Sequence, residues 1–422
     1  MRLTMKERRS VTAVVAARYR KARKKDKNTI LNEFTQLTGY NRCYAAFLLR
    51  SKGKKLRINN KTVLVGDLTK RVKRNRPRTY DEKVMCALKK IWFIMDCICG
   101  KRLGPILGEL IPILENYQEI ELDTTTKEKL LTISAVTIDR LLAPERRKQS
   151  LRGRSRTKPG TLLKHQIPIR TFSEWNEHKP GFVEIDLVGH EGGEARGDYI
   201  QTLDITDVCT GWTETQAVRN KAQVWVFEAL KRIRHRLPFK LLGIDSDNGS
   251  EFINDQLYRY CLEEEITFTR ARAYRKNDNC YVEQKNWSVV RRALGYLRYD
   301  TQGELEIINQ LYFHLRLYTN HFQPVMKMIE KTRVGSRVKK KYDRPRTPCQ
   351  RVLNSHHVEE ERKEALTKEH VKLNPAELKR QITRLQDKLR RIGLLKRKKQ
   401  SYNENNDKNH KDFEYIFREA TN

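Results

Sequence analysis

The sequence lacks any run of about 18 apolar residues, so it supplies no segment able to cross a bilayer as a helix. Its opening, Met1-Arg2-Leu3-Thr4-Met5-Lys6-Glu7-Arg8-Arg9, is basic but is not followed by the apolar stretch of a secretion signal. The cysteines are scattered over positions 43, 86, 97, 99, 209, 261, 280 and 349, and only Cys97 and Cys99 are close together. A single C-x-C without a second pair or a nearby His makes no zinc site, and no ladder of paired Cys suggests disulfides; the expectation is a reduced, cytoplasmic protein with no membrane partner. Acidic residues are also in deficit, 52 Asp+Glu against 87 Lys+Arg, for a net charge of +35. That imbalance points to a polyanion, DNA first, because phosphate neutralisation with counterion release supplies most sequence-independent affinity. A solubilised or ribosome-associated basic protein is the competing reading of charge alone.

A chain of 422 residues with 38% hydrophobic content has room for two to four domains. Residues 1–50 read as helices broken at Thr38-Gly39-Tyr40, the pattern of a helix-turn-helix. On that reading Asn41, Arg42 and Tyr44 face DNA while Ala45, Phe47, Leu48 and Leu49 pack; an ordinary helical hairpin is the alternative. Residues 51–78 form a basic linker, either laid along a phosphate backbone or simply solvated. A second all-α domain, 79–143, contains the apolar helix Val84 to Cys99 and a second helix-turn-helix, with Thr137, Asp139 and Arg140 on the reading helix. Residues 144–172 read as a basic interdomain linker without regular structure, whose Arg152, Arg154 and Arg156 are expected to follow DNA.

From 173 to 300 the pattern is three short-turned strands, then alternating helices and strands, which predicts an antiparallel trio extended by parallel pairing. The strand Gly181-Phe182-Val183-Glu184-Ile185-Asp186-Leu187-Val188 carries an acid inside an apolar run. A second strand ends at Asp245-Ser246-Asp247-Asn248-Gly249, and a helix opening near Asn279 places Asn279, Glu283 and Asn286 on one face. Asp186, Asp247 and Glu283, each on a different element, are expected to converge. Glu184, Asp204, Asp207 and Asp245 are the competing acids.

Thirty-five residues lie between Asp247 and Glu283. With Glu184-Ile185-Asp186, Asp247-Asn248-Gly249-Ser250-Glu251-Phe252 and the 279–286 segment, this spacing resembles the DDE catalytic core of retroviral integrases and of bacterial insertion-sequence transposases. The resemblance covers roughly residues 175–300. It extends to Asn320-His321-Phe322-Gln323-Pro324 and Tyr342-Asp343-Arg344-Pro345-Arg346-Thr347-Pro348, segments that look like those following the core in bacterial transposases. Retroviral integrases carry a His/Cys zinc module before the core, and none can be assembled here, since no His precedes His165.

The resemblance implies a multidomain protein with N-terminal helix-turn-helix modules and a ribonuclease-H-like α/β core. It implies an enzyme that binds element ends and performs metal-dependent nicking and 3′-hydroxyl strand transfer. Asp186 would bridge two Mg²⁺ ions, replaceable by Mn²⁺, with Asp247 and Glu283 each completing one; hard oxygen donors suit these cations. Arg272, Arg275 and Lys276, before the Glu283 helix, are expected against the scissile DNA, and Lys285 on a phosphate. The partners would be element terminal repeats and target DNA, with a homodimer or higher oligomer on DNA and a nucleoid-associated location. A metal-dependent nuclease of the same fold, separable by a joining assay on precut ends, is one rival. The other is a non-catalytic DNA-binding regulator derived from a transposase, separable by Mg²⁺-dependent cleavage. After the core, 301–358 is expected to hold a helix and, on one reading, a small β-barrel. Residues 359–399 should be helical, with an N-cap at Asn374 and a seam of Leu378, Ile382, Leu385, Leu389 and Ile392 that docks on another subunit or pairs with itself; 400–422 is a polar tail.

Overall fold

The computed structural model describes residues 3–57, 63–65, 79–149, 179–194, 196–247, 252, 255–270 and 280–396. It divides into two compact units, Met1–Thr79 and Tyr80–Asn422.

In the first unit α1 (Met5–Lys21), α2 (Lys24–Thr38) and α3 (Arg42–Ser51) enclose a small core of Ala16, Tyr19, Ile30, Leu31, Phe34, Ala45 and Leu49. Gly39 ends α2 at φ 64°, a left-handed C-cap that favours glycine, and Asn41 caps α3 by accepting from the Cys43 N–H. Phe47, expected to pack, is 52% exposed, since the apolar stripe of α3 runs through Ala45, Leu48 and Leu49. The basic segment after α3 contains a short antiparallel ladder, β1 (Lys55–Arg57) on β2 (Val63–Val65), rather than linker throughout.

The second unit begins with α4 (Glu82–Ile94), which buries Val84, Leu88, Ile91 and Trp92 at helical spacing. The helices α5 (Gly100–Leu103), α6 (Leu107–Asn116), α7 (Thr124–Thr132) and α8 (Ala135–Gln149) complete this layer. The segment from 144 was expected to be irregular, yet α8 runs through Pro144 to Gln149. Its last turns are tied down by Arg146 to Asp139, by a Lys89–Glu145 ion pair and by the Arg146 guanidinium over Trp92, contacts that offset the bond the proline removes.

A five-stranded sheet follows, built from β3 (Phe182–Gly189), β4 (Gln201–Asp207), β5 (Thr213–Val218), β6 (Gly243–Ser246) and β7 (Thr267–Arg270), in the order β5-β4-β3-β6-β7. β3, β4 and β5 are antiparallel neighbours; β6 pairs parallel with β3, and β7 parallel with β6. This mixed α/β sheet is compatible with the integrase-like core that the sequence resembles. One face, with Val183, Ile185, Leu203, Ile205 and Ile244, packs on α9 (Gln223–Arg236) and α10 (Asp255–Glu263). Burial of each such side chain contributes about 1.5–3 kcal/mol. The opposite face carries the acids.

After α11 (Cys280–Lys285) the helix widens into a π segment, Asn286–Arg291, and closes as α12 (Arg292–Leu294). The long α13 (Gln302–Phe322) runs along β5, the sheet edge. Asn309 and Asn320, eleven residues or three turns apart, occupy one face of α13. Asn320 Oδ1 accepts from Thr213 N and its Nδ2 donates to Thr213 O, while Asn309 makes the same pair with Ala217, so two amides stand in for a missing sixth strand.

The expected small barrel is replaced by a single hairpin, β8 (Met328–Val334) on β9 (Arg337–Tyr342). Every residue of both strands is exposed, so there is no inner face around which a barrel could close. Then come α14 (Pro348–Leu353), α15 (Glu360–Val371) and a helix over residues 375–396, α16, capped as expected by Asn374. The α16 seam docks within its own chain: Ala376, Leu378, Ile382 and Leu389 join the cluster formed by α4–α8 and α13. Gln386 bonds Ala293 O, and Lys396 reaches Asp300 and Glu304.

Candidate active site

β3 is central, and its even-numbered side chains meet those of its neighbours on the face opposite α9. Glu184 lies beside Asp245 of β6, and Asp186 beside Asp204 of β4. Four carboxyls in so little space demand partners, because an unpaired buried charge is expensive. Glu184 is fully buried, and its Oε2 accepts from Tyr281 N at 2.8 Å and Val282 N at 2.9 Å. It thereby fastens the first turn of α11 to β3. One turn on, Asn286 Nδ2 donates to Asp186 Oδ2 at 2.6 Å. The two ties straddle Glu283, which is exposed on α11 between them.

Electrostatics ties the acids together. Asp186 is pushed up to about 7, first by burial and then by the charge of Asp247, with Glu283 adding to the rise and bonds from Leu187 N and Asn286 opposing it. Asp247, half-buried just past β6, and Glu283 therefore both act on Asp186. Among the described residues these three carboxyls do not gather within 4.8 Å of one another, a closeness reached only by His321, Cys349 and His370. Burial and the charges of Asp247 and Glu283 oppose ionisation of Asp186, and a hard cation is the species that would let all three ionise and draw such oxygens inward. Oxygen donors, partial exposure and an Asp186 whose proton is retained by burial and by neighbouring negative charge fit a divalent ion such as Mg²⁺ or Mn²⁺.

Two of the competing acids, Asp245 and Asp207, have hydrogen-bond partners of their own. Asp245 is buried and accepts from Thr269 Oγ1 at 2.5 Å. Asp207 closes the β4–β5 turn through Gly181 N, Thr210 N and Thr210 Oγ1. Both Asp204 oxygens lack a hydrogen-bond partner, and burial holds its carboxyl well above the usual range, with the charge of Lys285 pulling the other way. Lys285, expected on a DNA phosphate, is 6% exposed and turned inward; burial lowers it to about 8 while Asp204 opposes the fall. Two residues along a helix rotate a side chain about 200°, which carries Lys285 to the face away from Glu283. His190 is also structural: burial drops it to about 3, and Nε2 bonds Thr202, which in turn bonds Tyr312.

The other expected DNA contacts fall into three groups. Tyr44 is 50% exposed on α3, and Arg140 is exposed on α8. Asn41 is occupied as the α3 cap, Arg42 bonds Asn28 and Asn32, and Thr137 bonds Ser134 at the start of α8. Asp139 turns inward to Gly100 N and Arg146. Arg152, Arg154, Arg156, Arg272, Arg275 and Lys276 lie outside the described residues. Sequence reasoning did not assign Glu184 its anchoring role, although its place two residues before Asp186 on one strand face was the available signal. Nor did it single out the basic side chains of the β8–β9 hairpin, Lys331, Arg333, Arg337, Lys339, Lys340 and Lys341, as a surface.

No family model matches the chain. It is similar to the catalytic core domain of BIV integrase, at 18% identity over 42% of this chain and 96% of that one, with a TM-score of 0.29. It is likewise similar to the HTLV-2 integrase catalytic core domain in complex with magnesium, at 14% identity over 35% and 90% of the two chains and a TM-score of 0.27. A simian T-cell lymphotropic virus intasome chain matches at 14% identity over 50% and 69%, with a TM-score of 0.29. A far nearer likeness is to the uncharacterized protein y4rM of Sinorhizobium fredii, 39% identical over 352 residues that make up 83% of this chain and 96% of that protein. The chain belongs to the same family as y4rM.

Proposed function

We propose that this protein is a DDE-type transposase that binds the ends of a mobile element, nicks DNA and transfers the 3′-hydroxyl to target DNA. The observation that carries the reading is the pair of ties from β3, Glu184 to the amides of Tyr281 and Val282 and Asp186 to Asn286, which hold Glu283 beside the strand that bears Asp186. Asp186, Asp247 and Glu283 would hold the divalent metal, Mg²⁺ or Mn²⁺, two ions on this reading. Bound there, the metal supplies activation of a water or 3′-hydroxyl and stabilisation of charge on the leaving oxygen. The chain's own contribution is positioning: the anchored helix fixes Glu283, Asn286 orients Asp186, and the apolar face on α9 keeps the sheet rigid. The α1–α3 and α7–α8 units read element ends, with Tyr44 and Arg140 exposed on the last helix of each. The β8–β9 hairpin adds a phosphate-facing ribbon, because like charges such as Lys331 opposite Lys340 are unfavourable until a polyanion covers them. Joining two ends calls for at least a dimer on DNA.

The test uses full-length protein and precut element ends with Mg²⁺. Strand transfer should fall by about three orders of magnitude, about 4 kcal/mol of barrier, in each of Asp186→Asn, Asp247→Asn and Glu283→Gln, while end binding persists. Wild-type transfer by any of the three removes that residue from the site; hydrolysis without joining by the parent protein makes it a nuclease instead.

A further inference from the structure

Away from the acidic face, three helices bring His321, Cys349 and His370 together, with one donor atom from each lying within 4.8 Å of the others. His321, near the end of α13, is fully buried; Cys349, near the start of α14, is 2% exposed; His370, near the end of α15, is half-buried. Two imidazoles and a thiol form a borderline-soft donor set, suited to Zn²⁺ rather than to Mg²⁺ or Ca²⁺. The two Nδ1 atoms are 3.2 Å apart. A tetrahedral ion with Zn–N of about 2.0–2.1 Å requires nitrogen atoms about 3.3–3.4 Å apart, so the two nitrogens already stand at a coordinating separation, with Cys349 Sγ no more than 4.8 Å from the histidine donors.

The outer nitrogens are backed by carboxylates. His370 Nε2 lies 3.0 Å from Glu109 Oε1, and His321 Nε2 lies 3.3 Å from Glu369 Oε2, a carboxylate shared with Arg316. His321 Nε2 makes no hydrogen bond in this structure, but a carboxylate placed behind the far nitrogen is the partner that orients a histidine once Nδ1 is a metal ligand. In the metal-free protein one ring can donate Nδ1–H to the other Nδ1, and an ion that takes that proton's place meets two nitrogens already aimed at it beside a thiol.

We infer that His321 Nδ1, Cys349 Sγ and His370 Nδ1 bind one Zn²⁺ ion, with water in the fourth position, and that the ion staples α13, α14 and α15 together. Glu109 and Glu369 are its positioning residues. On binding, the Cys349 thiol releases its proton to solvent and coordinates as thiolate. The site is separate from the acidic face and does not depend on the transposase reading.

The test strips full-length protein with a chelator, then titrates it with Co²⁺ alone. One Co²⁺ per chain should bind with a thiolate-to-cobalt charge-transfer band, and Zn²⁺ should displace it. Cys349→Ser should abolish the band, while Cys97→Ser, Cys99→Ser and Asp186→Asn leave it intact, which separates this ion from one on the acidic face. Glu109→Gln should keep the band and weaken Co²⁺ binding about 10–100-fold. His370→Gln, at a less buried position, repeats the Cys349 test with the fold checked by circular dichroism. Folded parent protein that shows no thiolate band at saturating Co²⁺ overturns the inference, as does a band that survives undiminished in both Cys349→Ser and His370→Gln.

Discussion

Replacing Asp186 by Asn should stabilise the metal-free protein at alkaline pH while destroying its proposed activity. Asp186 holds its proton up to about 7, against an ordinary value of 3.8, because it is buried and faces Asp247 and Glu283. The native state therefore binds more protons than the unfolded chain between about pH 4 and pH 7, and stability falls as pH rises through that window. At 1.36 kcal/mol per pH unit the full penalty above pH 7 is about 4 kcal/mol; partial solvent access to Asp186 reduces it to about 2 kcal/mol. Asparagine has the same shape without the charge. Its amide also finds a partner: Asn286 Oδ1 is buried with no hydrogen-bond partner, and rotation of the Asn286 amide presents that oxygen to the new Nδ2. Chemical denaturation in chelator at about pH 5 and pH 8 measures the effect. The variant should gain about 2 kcal/mol over the parent at the higher pH and much less at the lower. Millimolar Mg²⁺ should stabilise the parent at pH 8 and leave the variant nearly unmoved. A variant less stable than the parent at pH 8, or a difference that does not change with pH, refutes the account of Asp186 as a proton held by neighbouring negative charge.

Other outcomes follow from the same contacts. Asn320→Ala leaves Thr213 N and O unpaired in a buried place and should cost about 1–3 kcal/mol in thermal or denaturant unfolding; no loss would remove the edge-capping role. Lys339→Ala, Lys340→Ala and Lys341→Ala combined should leave the fold intact and flatten the dependence of log affinity on log salt by about 2–3 for duplex DNA, and an unchanged slope takes the hairpin off the DNA. Gly100→Ala would set its Cβ 2.1 Å from Ala135 O, so that α5 and α8 must separate, and the melting temperature should fall by several degrees. Lys285→Met should lower stability, because it strands the Asp204 carboxyl, yet change DNA affinity little; a large affinity loss would place Lys285 back on a phosphate.

The sheet was legible in the sequence because its signals are local: short turns between β3, β4 and β5, then alternation of helix and strand. The order of elements around Asp186, Asp247 and Glu283 was readable for the same reason. What could not be read depends on partners distant in the chain. Lys285 read as a phosphate contact because nothing near it in the sequence tells that the helix face opposite Glu283 is buried against β4, where Asp204 lies. The stripe on α16 has the spacing of an intersubunit seam, and only the exposed apolar sides of α4–α8 and α13 decide that it folds back on its own chain. The segment after α13 allowed a small barrel on sequence alone, because with both faces of each strand basic and solvated there is no alternation to show whether an inner face exists. His321, Cys349 and His370 have no motif spacing at all; three helices created their proximity.

The asparagine pair on α13 has a further consequence. Open strands invite pairing with other chains, a hazard that grows wherever copies of one protein are brought together. Here one margin of the sheet is sealed by Asn309 and Asn320, and the other, β7, is only four residues long. If copies gather on one nucleic acid as the proposed function requires, they find little backbone on which to grow a shared sheet, and their assembly would be left to side chains and to the DNA.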